Sequence, residues 1–370
     1  MAVLFIALSV ILLTPLVIYP LVALQILKYR KPETFEADEV VDKKVSLVLV
    51  TKDSEEEILR KLLEIAEYTY IMTNLKVYVG LDGVIRDLDI KRLDLPYACS
   101  IINFTKLGKT EIQNRLTRDI DDELIAYTDT NSRWDANALN NLVSYMNEHQ
   151  RCGYLSGRLV YDTTNDVAES KYWSTDLKLR EFENIYGACV GGNGAIYCIR
   201  ASAYSDFPAH ISHDGYMPAN VVVKGYSSNF CKSAVAFEKE TNDKRKEFRR
   251  KIRMNRGQPF KKYFIPSKFN LFRYPYFTVF FIAHKYFKYL FYLLIPLWLL
   301  VFGILSKTLT YLLILFVGVV MLLGVLGLKT KLYQYLLTLG IAVLAQWIAL
   351  YNTLKGDLKV TWDVQQESIR

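Results

Sequence analysis

Leu124-Ile-Ala-Tyr-Thr-Asp-Thr-Asn-Ser-Arg-Trp-Asp135 begins with an apolar run suited to a buried strand, Leu124 to Tyr127, and then breaks into Thr128-Asp129-Thr130-Asn131. Side-chain direction repeats every two residues along a strand, so a strand ending in Asp-x-Asn sets two oxygen-bearing side chains on one side of the chain. That place is the carboxyl edge of a sheet, where open α/β domains bind their ligands. Two oxygens so placed suit Mg²⁺ or Mn²⁺ already carrying a diphosphate, because such ions usually take only one or two protein groups. On the tripeptide alone a β-turn after a core strand is the simpler account, since Asp, Thr and Asn are ordinary turn residues. The rest of the chain decides against it.

Upstream, Val45-Ser-Leu-Val-Leu-Val50 reads as a first buried strand. A helix follows from Ser54 to Ala66, with Ile58, Leu62, Ile65 and Ala66 on one face. Leu75–Leu81 is a second strand that stops at Asp82-Gly83, and Ser100–Phe104 is a third. Lys106-Leu-Gly-Lys109 then leads into a helix through Asn114 and Leu116. Strands alternating with helices mean a mostly parallel sheet covered on both faces. Downstream, Gly153–Tyr161 reads as a strand pair with a turn, and Tyr172–Tyr186 as a helix. Gly191-Gly-Asn-Gly-Ala-Ile-Tyr-Cys-Ile-Arg200 is a glycine loop entering a strand. His213-Asp214 precedes another helix, closed by Lys224-Gly225-Tyr226, and Val235-Ala-Phe237 is a short strand.

The chain is 51% hydrophobic yet 23% charged, and the two are segregated. No Asp, Glu, Lys or Arg occurs in Met1–Leu27, Tyr289–Ser306, Thr308–Leu328 or Leu332–Leu354. Each run is about long enough to cross a bilayer as a helix, which takes roughly 17–25 residues. Met1–Leu27 lacks the basic start and small-residue cleavage site of a signal peptide, so an anchor fits it better, bent at Pro15 and Pro20. Basic residues follow that span at Lys28, Arg30 and Lys31 and none precede it, which sets the large domain in the cytoplasm. The formal charge is +8, and Lys244–Lys262 holds ten Lys/Arg against the single acid Glu247. Beside membrane spans such a run suits lipid headgroups or a phosphorylated substrate rather than nucleic acid. The five cysteines show no metal-ligand spacing, and reduced thiols in a cytoplasm-facing domain account for them.

In this order the pieces resemble membrane-bound inverting glycosyltransferases of family two, the group containing cellulose, hyaluronan and poly-N-acetylglucosamine synthases. The resemblance covers roughly Val45 to Lys288 and implies an α/β GT-A domain inserted between transmembrane helices, one N-terminal and about three C-terminal. The expected layout is an anchor at 1–31, a polar linker at 32–44 and a cytoplasmic catalytic domain at 45–262. An interfacial amphipathic segment at 263–288, transmembrane helices at 289–354 and a tail at 355–370 complete it. The membrane expected is an inner or plasma membrane of bacterial type.

The resemblance also implies a nucleotide-sugar donor, UDP-linked by expectation, and Mg²⁺ or Mn²⁺ as cofactor. Asp82 matches the first family aspartate, near the donor's base and ribose, and Asp53 joins it among the substrate-binding residues. Gly108-Lys109 with Asn114 resembles the element beneath the nucleotide. Asp129 and Asn131 occupy the Asp-x-Asp position, where Asn keeps an oxygen but removes a charge. The loop with Gly192 and Asn193 resembles the acceptor border. His213-Asp214 aligns with the family's acidic pair, whose second member, here Asp214, is the catalytic base; a helix N-cap before Tyr216 is the plain alternative.

Arg250, Lys251 and Arg253 match the basic motif before the interfacial segment, expected to face the departing diphosphate or, equally, lipid headgroups. Processive relatives carry Trp where this chain has Met254, which weakens the case for processive synthesis. Trp173 resembles a family position and could stack on a sugar or simply fill a core. The favoured reading is transfer to a growing cell-surface polysaccharide; the alternatives are transfer of one sugar to a lipid acceptor (a polyprenyl-phosphate, a polyprenyl-diphosphate sugar or ceramide) and an inactive scaffold drawing on Asn131, His213 and Met254. Three C-terminal spans form a channel only if the protein is a homo-oligomer.

Overall fold

The computed structural model describes residues 1–83, 90–161, 167–209, 211–239, 244–255, 270–328 and 330–356. A first helix, Ala2–Tyr29 (α1), is long and apolar enough to cross a membrane. Near Pro15 one turn widens, so that Tyr19 N donates to Thr14 O five residues back. The polar segment 32–44 is strapped to the domain. Ala37 N and Val41 N donate to the side-chain oxygens of Asn141 and Asn140, at 2.9 Å and 3.0 Å.

Val45–Thr51 (β1) is buried at every position, as its apolar, β-rich sequence demands. Ser54 and Glu57 cap the next helix, Glu55–Ala66 (α2), reciprocally, and Ile58, Leu62 and Ile65 lie on its buried face. Leu75–Asp82 (β2) pairs parallel with β1, and Ala98–Phe104 (β3) parallel with β2. After Lys109–Arg118 (α3) the chain returns as Leu124–Thr128 (β4), parallel to β1 on its other side. Beyond β4 the expected parallel pattern gives way to mixed pairing. The remaining strands are Ser132–Trp134 (β5), Cys152–Tyr161 (β6), Ile196–Arg200 (β7) and Ser227–Glu238 (β8). They complete an eight-stranded sheet in the order β3-β2-β1-β4-β7-β6-β8-β5. Strand β7 runs antiparallel to β4 and β6, whereas β6 and β8 are parallel.

The expected strand pair at Gly153–Tyr161 is the single strand β6. Gly157 marks a register shift rather than a turn: a Cβ there would collide with the Ala234 carbonyl of β8, so only glycine permits the approach. Four helices cover the second half: Ala138–Glu148 (α4), Val167–Asn184 (α5), His213–Val223 (α6) and Lys244–Asn255 (α7).

Three more apolar helices end the described chain, Pro275–Leu305 (α8), Lys307–Val325 (α9) and Lys331–Leu354 (α10), each long enough to span a membrane. Of the interfacial segment expected at 263–288, residues 263–269 lie outside the described residues, and 275–288 form the first half of α8. Phe277, Phe280, Phe281 and His284 fall on one face and are buried, so that face docks on protein instead. This helix also carries a widened turn, with Phe287 N donating to Ile282 O. Helices α1 and α8 pack together through Phe5, Trp298 and Phe302, and Trp298 Nε1 donates to Ser9 Oγ at 2.8 Å. All five cysteines are free thiols.

Candidate active site

Strands β2, β1 and β4 are neighbours pointing the same way, so their carboxyl ends share one edge. Each ends at or just before an aspartate: Asp82, Asp53 and Asp129 respectively. Asp53 accepts from Thr51 Oγ1 at 2.8 Å. Asp82 is buried and accepts from Leu107 N at 2.9 Å and Gly108 N at 3.1 Å. Its carboxylate therefore shapes the turn before α3. Gly108 sits there at φ +83°, a conformation that a side chain resists. The turn delivers Lys109, whose ammonium forms an ion pair with Asp129 Oδ1.

Asn114, expected in the element beneath the nucleotide, is buried and has both ends of its amide engaged. Its Nδ2 donates to Phe207 O at 2.8 Å, and its Oδ1 accepts from Tyr204 OH at 2.6 Å and Phe207 N at 3.2 Å. It ties α3 to the 204–207 segment. Asn193 is engaged in the same way: Nδ2 donates to Gly157 O at 2.8 Å and Oδ1 accepts from Ile196 N at 3.0 Å. That amide pins the glycine loop onto β6.

Strand alternation ends at Thr128, so a turn rather than the strand pleat sets where Asn131 stands relative to Asp129. The chain turns instead: Ser132 N and Ser132 Oγ donate to Asp129 O at 3.3 Å and 2.9 Å, and Asn131 is exposed. A fully buried lysine braces this turn from behind. Lys61 Nζ donates to Ser132 O and to Glu64 Oε1, and Glu64 Oε1 accepts from Trp134 N at 2.9 Å. Burial lowers the Lys61 pKa, against the pull of Glu64. The sequence carries a sign of this: Lys61 falls among Ile58, Leu62 and Ile65 on the apolar face of α2.

Helix α6 brings in the third group. Ser212 occupies the N-cap position, so Asp214, in the first turn, is not the cap. His213 is buried, with Nδ1 3.1 Å from Tyr197 OH and Nε2 3.2 Å from Tyr204 OH. Burial, and then the Lys109 charge, push its pKa down to about 3, so the ring is neutral in the folded protein. In the unfolded chain it protonates near the ordinary value of about 6.5. The unfolded state thus binds the extra proton, and stability present above pH 6.5 is lost as pH falls toward 3. The expected loss is about 2 kcal/mol by pH 5. Apparent melting temperature measured from pH 7.5 to 5 checks it, with a flatter curve expected for His213→Gln.

These elements meet at Gly194. A Cβ added there would lie 3.6 Å from Asp129 Oδ2, 3.9 Å from Lys109 Nζ and 4.0 Å from the Asp214 carboxyl carbon. Two carboxylates and an ammonium therefore face one small space whose floor is a glycine. Gly192 is covered by Tyr154, a fully buried tyrosine whose hydroxyl has no hydrogen-bond partner among the described residues. Burial and then the Asp214 charge hold that phenol well above its usual pKa.

Among the described residues no group of three His, Cys, Asp or Glu could hold a metal. Asp129, with Asn131 on the same turn, fits an ion that takes one or two protein oxygens and the rest from a diphosphate. Arg253 is exposed and Lys251 half-buried on α7, which packs against α10. The side chains of Arg250, Met254 and Trp173 lie outside the described residues.

Among curated proteins, none is matched by this sequence. Among solved structures, the mannosyltransferase PcManGT from Pyrobaculum calidifontis, in complex with GDP-Man and Mn2+, superposes with a TM-score of 0.69 at 17% identity, over 95% of this chain and 97% of that one. TarS 1–349 of S. aureus, in complex with UDP-GlcNAc, gives a TM-score of 0.42 at 11% identity, over 57% of this chain and 65% of that one. The first likeness shows a GT-A fold, here with one apolar helix before it and several after. The family profile described as "Glycosyl transferase family group 2" matches residues 124–328, from the strand that ends at Asp129 through the glycine loop and Asp214 into the apolar helices. That stretch is more than half of the sequence, and the chain belongs to this glycosyltransferase family.

Proposed function

We propose that this glycosyltransferase is held in a membrane by its four apolar helices and moves a sugar, with inversion, from a nucleotide-diphosphate sugar to an acceptor at the bilayer surface. One observation carries the reading: Asp129, Lys109 and Asp214 converge over Gly194. Inverting transfer needs two opposed functions within a few ångströms, a base for the attacking hydroxyl and cations for the departing diphosphate. Asp214 takes the proton from the acceptor hydroxyl as its oxygen bonds to the anomeric carbon and the bond from sugar to phosphate breaks. Lys109 faces the diphosphate side, and Asp129 with Asn131 would hold the cation. A divalent cation bound there supplies positive charge to the leaving diphosphate. Asp82 keeps the 107–108 turn in the shape that aims Lys109.

The base of the donor is open between uridine and guanosine. PcManGT was solved with GDP-Man, which makes a GDP-sugar as reasonable a first trial as the UDP-sugar implied by the synthases. For the acceptor, a lipid-linked one is better supported than a growing polysaccharide. Helix α9 buries only Gly324, and apolar residues along α8 and α9 such as Leu300, Ile304, Leu312 and Leu315 are exposed. Apolar side chains exposed in this way suit contact with lipid, where a lipid-linked acceptor would be carried. Polymer synthesis remains the second reading, on the motif resemblance and an assembly of several copies.

The test uses full-length protein in lipid nanodiscs with UDP- and GDP-sugars, Mn²⁺, and membrane lipid extract as acceptor source. Metal-dependent nucleotide release with one donor class and a lipid-extractable, single-sugar product is expected. A product ladder on a gel would overturn the lipid reading and leave transfer standing. Release with no donor, in the presence of metal and acceptor, would overturn both.

A further inference from the structure

A buried polar chain runs from the two apolar helices α1 and α8 to the glycine loop of the site. Glu183, on α5, is fully buried. Its Oε1 accepts from Tyr19 OH of α1 at 2.8 Å and faces His284 Nδ1 of α8 at 2.7 Å. Its Oε2 accepts from Val190 N, at the start of the glycine loop, at 3.0 Å. The other nitrogen of His284 lies 3.6 Å from Asp176 Oδ1. Asp176 Oδ2 accepts from Arg180 Nε at 2.8 Å, and Arg180 Nη2 reaches Gly192 O at 3.3 Å. Thus two side chains of one helix hold the loop at Val190 and Gly192, and two apolar helices hold those side chains.

Buried carboxylates are costly unless fully partnered, so a cluster like this persists only where its geometry is tightly determined. Both apolar helices depart from regular geometry at the contact. The widened turn of α1 ends at Tyr19, and that of α8 contains His284. Single widened turns of this kind occur frequently at functional sites, since they re-aim one side chain without ending the helix. Two residues beyond Gly192 is Gly194, over which Asp129 and Asp214 meet.

We propose that Arg180 and Glu183 are positioning residues that set the acceptor-side loop, and that Tyr19 and His284 make the membrane helices part of the active-site frame. This rests on the assignment of the 190–194 loop to the acceptor side of the site. Ordering of the loop fixes where the acceptor hydroxyl stands relative to Asp214, and a misplacement of about 1 Å can cost on the order of 100-fold in rate.

The test compares variants of the full chain in nanodiscs. Tyr19→Phe deletes one hydroxyl and keeps the ring against Phe182, Phe280 and His284. Arg180→Lys keeps the charge beside Asp176 but is too short to reach Gly192 O as well. Both are expected to lower kcat for transfer by about 10-fold or more, with donor Kd unchanged within about twofold. His284→Leu is expected to do the same, and His284→Asn, whose amide stands where Nδ1 stood, to recover most of the loss. A merely structural role would move melting temperature and leave kcat per folded molecule alone, and that result overturns the proposal. If donor Kd weakens in step with kcat, the loop serves the donor side and the proposal falls, while transfer chemistry itself stands or falls separately with Asp214.

Discussion

Asp214→Asn is expected to lower the rate of sugar transfer by about 10²–10⁴-fold while donor affinity stays within about twofold of the parent. The substitution keeps the shape of the side chain and removes its charge and with it its capacity to accept a proton. Ser212, not Asp214, stands at the N-cap position of α6, so the helix start does not depend on this carboxylate. The neighbours argue the same way. His213 is locked neutral between two tyrosine hydroxyls, and Tyr154 is buried with its phenol held protonated, so neither supplies a base in its place. Transfer kinetics with a titrated donor, beside donor binding by calorimetry, checks the prediction. The size of the loss also reports on the nucleophile. A hydroxyl must shed its proton to attack, whereas the oxygen of a lipid phosphate arrives already ionised. A loss under about tenfold would remove the base assignment and point to such an ionised nucleophile.

What the sequence revealed follows from how far each signal reaches along the chain. The four parallel strands were legible because each is a short apolar run that stops at a polar residue, and Asp82 and Asp129 mark such stops. Gly108-Lys109 was legible because a positive-φ glycine before a helix is a local event. The meeting of Asp129 with Asp214 could not be read from spacing. It depends on β7 inserting antiparallel beside β4 and carrying the glycine loop with it. The internal partners of Asn114 and Asn193 were not legible, because a polar residue in a site-like motif looks like a ligand group until Phe207 or Gly157 is seen beside its amide.

The aromatic stretch before the second charge-free run suggests an interfacial segment because Phe, Tyr and Lys favour headgroups. The same composition also makes a helix face that docks on protein, as Phe277, Phe280, Phe281 and His284 do. Lys61 and the cluster around Glu183 escaped because a charged residue on an apolar face reads as an imperfection until its partners, 71 and 101 residues away, are in view.

Asp129→Ala should abolish the metal dependence of donor binding and reduce kcat/KM by about 10²–10³-fold. The carboxylate is the one charged oxygen group on its turn, since Asn131 is neutral and exposed. The ion pair with Lys109 gives the prediction a second arm of opposite sign. The Lys109 ammonium is ion-paired with Asp129 Oδ1, the group to which the proposed mechanism gives the cation, so on that reading cation and lysine compete for one carboxylate. Lys109→Met removes the competitor, and Mn²⁺ affinity of the donor-free protein should rise by about tenfold, as one fewer positive charge lies within a few ångströms. Turnover should nonetheless fall by about 10²-fold, because the diphosphate then departs without that ammonium beside it. Opposite movements of metal affinity and rate from one substitution separate this arrangement from a plain structural salt bridge. A structural bridge lost would weaken both together, and Mn²⁺ titration of the variant by electron paramagnetic resonance, beside its turnover with saturating donor, tells the two apart.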